Sequence, residues 1–234
     1  MIEREICVLP TAEDAAEALA LRMERLIGDG RVGVHIALSG GTTSIAFLNA
    51  LVKRERINWT NVNFWWVDER CVLPDDEQSN FRLFMEFFYE RLSFTKPMYH
   101  RVKGEFSVED ACFDYVCKLE KAFNNECPHF DLIILGIGED GHIASIFPQN
   151  IDSFYADSMC VVAKHPQTGQ YRVSFTGKVI NAATQVAFLV SGKHKSGIIK
   201  RVFSENSEEL PAQLVSLQQG KLLFFLDKYA AEEI

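Results

Sequence analysis

Short, nearly continuous apolar runs recur along this chain, and stretches with helical periodicity separate them. That alternation constrains the fold more than any other feature. The runs are Ile6 to Leu9, Val32 to Leu38, Val62 to Val67, Asp131 to Leu135, Gln185 to Val190 and Leu222 to Leu226. Strands without a polar face must be covered on both sides, the condition of a parallel sheet between helices. Thr11-Ala12-Glu13-Asp14 resembles a capping box and opens a helix from Ala15 to Ile27, stopped by Gly28 and Gly30. Further helices are expected from Thr42 to about Lys53 and, after a polar loop, from about Ser79 to Leu92. Ser107 opens another to about Phe123, and a short terminal helix should follow the last strand. The pattern predicts an α/β fold built from βαβ units, with a mostly parallel sheet and helices on both faces. No linker, repeat or low-complexity stretch interrupts it, so residues 1–234 read as one domain.

Composition narrows the function. With 47% hydrophobic and 24% charged residues, the chain can bury a core without disulfide or metal. The start lacks a signal-peptide pattern, and no apolar run approaches the roughly 20 residues that span a bilayer, so a cytoplasmic protein without a membrane role is expected. A formal charge of −8, with no Lys/Arg block, argues against a nucleic-acid partner. If the substrate is itself an anion, the cations that meet it must be placed individually. The six cysteines form no Cys-x-x-Cys pair and read as small buried hydrophobes. No His-x-Glu or His/Cys cluster argues for zinc. His35 reads as a core residue, His100, His129 and His165 as loop residues without ligand-like neighbours, and the tryptophans as packing.

In such a sheet ligands bind beyond the carboxyl ends of the strands. Ser39-Gly40-Gly41-Thr42-Thr43 follows the second run and leads into a helix. Adjacent glycines and free helix-start N–H groups suit an anion such as phosphate, although a plain tight turn has the same composition. The lysine of a P-loop is absent. Asp68-Glu69-Arg70 follows the third run, and Arg70 could grip a phosphate or carboxylate unless the triplet is only a solvated loop. Gly136-Ile137-Gly138-Glu139-Asp140-Gly141-His142 contains Gly-x-Gly-x-x-Gly. Pro148 cuts short the helix that a dinucleotide site needs, and two carboxylates stand where a pyrophosphate would lie, so no redox cofactor is expected. Asp140 and His142 suit acid–base chemistry better, though a histidine capping a turn looks the same in isolation. Ser191-Gly192-Lys193-His194-Lys195 puts two lysines at another strand end.

These segments resemble the 6-phosphogluconolactonase family, within a wider group that includes glucosamine-6-phosphate deaminases. The resemblance runs in order through Ser39 to Thr43, Asp68-Glu69-Arg70 with Pro74 and Ser79-Asn80, and Gly138 to Pro148. It continues through Arg172-Val173-Ser174-Phe175-Thr176, Ser191 to Lys195 and Pro211-Ala212. It implies a modified Rossmann-type sheet and hydrolysis of a phosphorylated sugar lactone, with no metal or other cofactor. The implied catalytic residues are His142, as general base, and Asp140, which orients it. The implied substrate-binding residues are Gly40, Gly41, Thr42, Thr43 and Asp68, with Arg70, Arg172 and Lys195 as counter-charges to the phosphate. Two positions depart from the pattern: Ser44 where a proline is common, and Gln78 where an acidic residue often stands. The deaminase branch carries a glutamate at the position of Phe147 and tends to Asp-Glu-Tyr in place of Asp68-Glu69-Arg70. Both differences favour the lactonase.

Overall fold

The computed structural model describes residues 3–28, 32–93, 95–204, 209–217 and 219–234. The elements are β1 (Glu3–Leu9), α1 (Ala12–Gly28), β2 (Val34–Leu38), α2 (Thr42–Val52), β3 (Val62–Trp66), β4 (Asp68–Arg70), α3 (Asn80–Phe87) and β5 (Met98–His100). There follow α4 (Val108–Ala122), β6 (Leu132–Leu135), β7 (Cys160–Lys164), β8 (Tyr171–Phe175), α5 (Gly177–Asn181), β9 (Gln185–Val190), α6 (Ser196–Phe203) and β10 (Lys221–Asp227). Thr11 caps α1, its hydroxyl accepting from the Asp14 N–H and donating to the Asp14 carboxylate. Ser107 caps α4 in the same way with Asp110, and Ser79 caps α3 by accepting from the Arg82 N–H while its hydroxyl donates to Glu69. Gly30, expected to help stop α1, lies outside the described residues.

Seven strands form a sheet in the order β1-β10-β9-β6-β2-β3-β5, and every pairing in it is parallel. Side chains alternate between two cores. Trp65, Ile133, Phe188 and Phe224 join α4, α5 and α6 on one face. Phe64, Ile134, Leu189 and Phe225 join α1, α2 and α3 on the other. This double burial is why the strands read as continuous apolar runs. From β2 the chain runs outward through β3 to β5, then returns to β6 on the opposite side of β2. The crevice between the ends of β2 and β6 is therefore a topological switch point, where open α/β sheets bind ligands.

A second sheet, β4-β8-β7, is antiparallel and absent from the sequence expectation. The triplet Asp68-Glu69-Arg70, expected in a polar loop, is its first strand, paired with β8. Three residues are too few to show a period in sequence. Two further expectations are corrected. The amphipathic helix does not reach Leu92 but gives way after Phe87 to a 3₁₀ turn at Tyr89–Arg91, and turns rather than a helix follow β10. Among the described residues no helix is long and apolar enough to cross a membrane.

The fully buried Tyr115 ties α4 to β3. Its hydroxyl donates to the Trp66 carbonyl and accepts from the Trp66 N–H, each at 2.8 Å. Tyr115→Phe leaves two buried backbone groups unpaired and should cost about 1–3 kcal/mol in denaturant unfolding. A change below about 0.5 kcal/mol would show that this link is not needed.

Candidate active site

A cavity of about 450 Å³ lies at the carboxyl ends of β2, β3, β6 and β9, and every expected site segment reaches it. On the β2 side, Ser39 ties the turn to β6 by donating from its N–H and hydroxyl to the Ile134 carbonyl. Gly41 takes φ 98° as the N-cap of α2, and no side chain caps the helix. The Ser44 N–H donates to the Gly41 carbonyl, and the N–H groups ahead of it at the start of α2 can face a ligand, as at other anion sites. Gly40 approaches Asn80 so closely that an added Cβ would lie 1.7 Å from its Oδ1. That oxygen is buried and has no partner among the described residues. Thr43 meets Ser191 hydroxyl to hydroxyl at 3.4 Å. Thr42 opens α2, and its side chain lies outside the described residues.

The β9 end completes this corner. The Gly192 N–H donates to both carboxylate oxygens of Asp227, the last residue of β10. Asp227 was not singled out in the sequence, although a carboxylate closing an apolar strand was a signal for it. Lys195 donates to the Ile137 carbonyl at 2.8 Å. Burial lowers its pKa, while Glu139 and Asp140 are the carboxylates that act on it in the opposite sense. His194 also lines the cavity.

On the other side, strand alternation sorts the charged triplet. Asp68 and Arg70 line the cavity, whereas Glu69 turns to α3 and accepts from the N–H groups of Asn80 and Phe81. Burial pushes the Glu69 carboxyl up to about 7 despite these bonds. Arg172 on β8 pairs in register with Arg70 on β4. Asp68 accepts from the Ser145 hydroxyl at 2.7 Å and lies 3.9 Å from Arg172. Burial lowers the Arg172 pKa, and Asp68, Arg70 and Glu69 are the charges that act on it. Lys195 and Arg172 therefore answer to different neighbours. All three cations, Arg70, Arg172 and Lys195, line the one cavity.

The imidazole of His142 is held by Asp140. Its Nδ1 lies 2.6 Å from Asp140 Oδ1, and its backbone N–H donates to the same oxygen at 3.1 Å. With Asp140 ionised, Nδ1 carries the proton and Nε2 is the free base. Burial opposes the Asp140 charge, but the bonds and charge of His142 outweigh it and hold the carboxyl at about 2. The Phe147 ring packs 4.6 Å from the imidazole. Gly138 permits the pair, since a Cβ there would lie 2.0 Å from Nδ1 and 2.7 Å from Asp140 Oδ1. No full helix follows: Ile143 and Ile146 form a tight bridge and a 3₁₀ segment starts at Pro148, so the glycine pattern is not a dinucleotide loop.

The histidines set aside in sequence fall differently. His35 accepts from the Trp65 indole at 3.0 Å and packs in the core as expected. His100 sits on β5, not in a loop, stacked 4.0 Å from Trp65. His165 has site neighbours after all, with its ring edge-on to Phe147 and Arg172 and His142 among the charges that act on it.

A model of the glucosamine-6-phosphate isomerases/6-phosphogluconolactonase family matches residues 10–224. The chain belongs to this family. A 6-phosphogluconolactonase of Haemophilus influenzae is 35% identical over 228 residues, covering 94% of this chain and 96% of that protein. One of Treponema pallidum is 40% identical over 180 residues, 75% of each chain. The crystal structure of a protein named devB superposes over all of both chains with a TM-score of 0.92 at 35% identity. The two departures from the family pattern have local substitutes. The Ser44 hydroxyl lies 2.9 Å from both the Ser39 and Gly40 carbonyls and so braces the turn. Gln78 accepts from Arg70 through its carbonyl and from the Gln170 amide through its side chain.

Two measurements test this geometry. Gly138→Ala should fold but displace the imidazole, lowering turnover by about 10²-fold. Unchanged turnover would show that the pair tolerates the extra carbon. Asp140 should titrate near 2 by carboxyl NMR and return towards about 3.9 in His142→Ala. Because its folded pKa is depressed, the pair stabilises the protein above the unfolded value, and this is lost as pH falls towards 2.

Proposed function

We propose that this chain hydrolyses 6-phospho-D-glucono-1,5-lactone to 6-phospho-D-gluconate, a step of the pentose phosphate pathway, with His142 as general base. The observation that carries the reading is the Asp140–His142 pair, with Nδ1 engaged at 2.6 Å and Nε2 without a partner among the described residues, beside a cavity that offers an anion corner. Its support from relatives is the 6-phosphogluconolactonases that match along most of the chain.

The phosphate lies against the N–H groups at the start of α2, beside the Thr43 and Ser191 hydroxyls, with Arg70, Arg172 and Lys195 as its counter-charges. Nε2 of His142 takes a proton from water as its oxygen bonds to C1, and the carbonyl electron pair moves onto the carbonyl oxygen. When that pair returns, the bond from C1 to the ring oxygen breaks, and the imidazolium gives its proton to the departing oxygen. Asp140 holds the ring and stabilises the imidazolium. The new carboxylic acid then ionises to solvent. Each step uses groups of the chain and water alone.

Deamination of an amino-sugar phosphate requires a further carboxylate to open the ring and move a proton between carbons. At that place stands Phe147, buried against the imidazole and unable to exchange a proton. A sugar-phosphate sensor without turnover would keep the pocket, and a turnover assay separates it from an enzyme.

His142→Ala should lower lactone hydrolysis by about 10²–10⁴-fold while 6-phosphogluconate still binds. Glucosamine 6-phosphate should release no ammonia. Ammonia release without lactone loss above the spontaneous rate would overturn the assignment.

A further inference from the structure

Glu69 is a buried carboxylate that takes no part in the steps above. It is 2% exposed and does not line the cavity. Four donors converge on it. Oε1 accepts from the Arg70 and Asn80 N–H groups at 2.8 and 2.9 Å, and Oε2 from the Phe81 N–H at 2.8 Å and the Ser79 hydroxyl at 3.3 Å. All four donors are uncharged. Burial raises the Glu69 pKa in spite of them, so the charge is kept at a cost. Stability alone does not call for a buried charge.

The reason lies in what the carboxylate holds. Ser79 is the N-cap of α3, and Asn80 and Phe81 are its first two residues. One residue earlier, the Gln78 carbonyl accepts from the Arg70 guanidinium at 2.6 Å. The Asn80 side chain donates to the Asp68 carbonyl at 2.9 Å, and its Oδ1 is the atom that Gly40 approaches. Residues 78–80 therefore touch Asp68, Arg70 and the glycine turn, all of which line the cavity. Through Ser79, Asn80 and Phe81, Glu69 pins this segment to β4. Only an ionised carboxylate accepts from all four donors at once. An amide or a protonated acid would set a donor against an N–H. The negative charge also suits the positive end of α3.

We propose that Glu69 is a positioning residue for the ligand: by fixing residues 78–80 it sets Arg70 and the glycine turn at the spacing that a phosphorylated substrate needs. This rests on the lactonase reading and adds to it a residue that never touches the ligand. Its effect falls on binding. Among the described residues, Asp140 and His142 bond to each other and not to residues 78–80, so the proton-transfer pair keeps its geometry when the segment moves.

A double-mutant cycle tests this. Glu69→Gln should raise the KM for the lactone and weaken 6-phosphogluconate in calorimetry by about 10-fold each, with kcat within about 2-fold. Asp140 should still titrate at about 2 by carboxyl NMR. In an Arg70→Gln background the same change should cost only about 3-fold, because part of what Glu69 holds is already gone. Ser79→Ala removes one donor and no cavity group. It should shift KM about 3-fold in the same direction, and it carries the test if Glu69→Gln does not fold. Equal losses with and without Arg70, or a fall in kcat at unchanged KM, would overturn the proposal. So would unaltered binding in a Glu69→Gln protein that melts like the unaltered one. Lactone turnover by the unaltered protein is scored separately. Its absence refutes the lactonase reading, whereas the cycle read from 6-phosphogluconate binding still decides the role of Glu69.

Discussion

Val67 divides its two backbone hydrogen bonds between different sheets. Its N–H donates to the Leu38 carbonyl in the parallel sheet, and its carbonyl accepts from the Phe175 N–H in the antiparallel one, at 2.9 and 2.7 Å. One buried residue thus turns the chain from β3 into β4 and fixes the small sheet above the ends of the large one. Every charged group on that side of the cavity depends on this junction. Asp68 and Arg70 follow Val67 directly, and Arg172 is set opposite Arg70 by the register of the pairing. Without the junction, the parallel sheet would still offer the glycine turn and the lysine. It would have no second wall.

The parallel sheet was legible because burial on both faces leaves an unbroken apolar signature. Gln185–Val190 and Val62–Trp66 show it, within a residue of the expected bounds. The small sheet was illegible for the converse reason. β7 and β8 have only five residues each and show no regular alternation, β8 burying Arg172 and Ser174 among its apolar residues, and β4 has three residues. Their pairing is a long-range relation that local pattern cannot carry. The helix expected to reach Leu92 failed similarly, since the apolar residues Phe84 to Leu92 serve an aromatic cluster with Trp59 and Phe64 rather than one helical face.

For the site, motif spacing foretold which segments gather at one cavity. Asp140 and His142 are neighbours in sequence, and the structure brings them together by a local turn that needs Gly138 bare. Arg70, Arg172 and Lys195 are far apart in sequence, and the fold brings all three to the same cavity. Asp227 and Ser145 matter through what they hold: the Gly192 backbone in one case, Asp68 in the other. A residue that acts by fixing another leaves little mark on a sequence read one segment at a time.

The strand order has a consequence for how such a chain is made. Among the described residues β1 pairs with β10 alone, and β10 lies between β1 and β9. During synthesis β1 must therefore wait, its edge unpaired, until nearly all of the chain has been added. The same late strand carries Asp227, which fixes the Gly192 turn beside Lys195. A ribosome-bound intermediate can already hold β2, β3 and β6 and the Asp140–His142 loop, yet lack the brace on the turn beside Lys195. Pairings so distant in sequence are slow to form and expose strand edges meanwhile. Completion of the ligand corner and closure of the sheet edge are one event, so the finished pocket reports that the whole chain has folded.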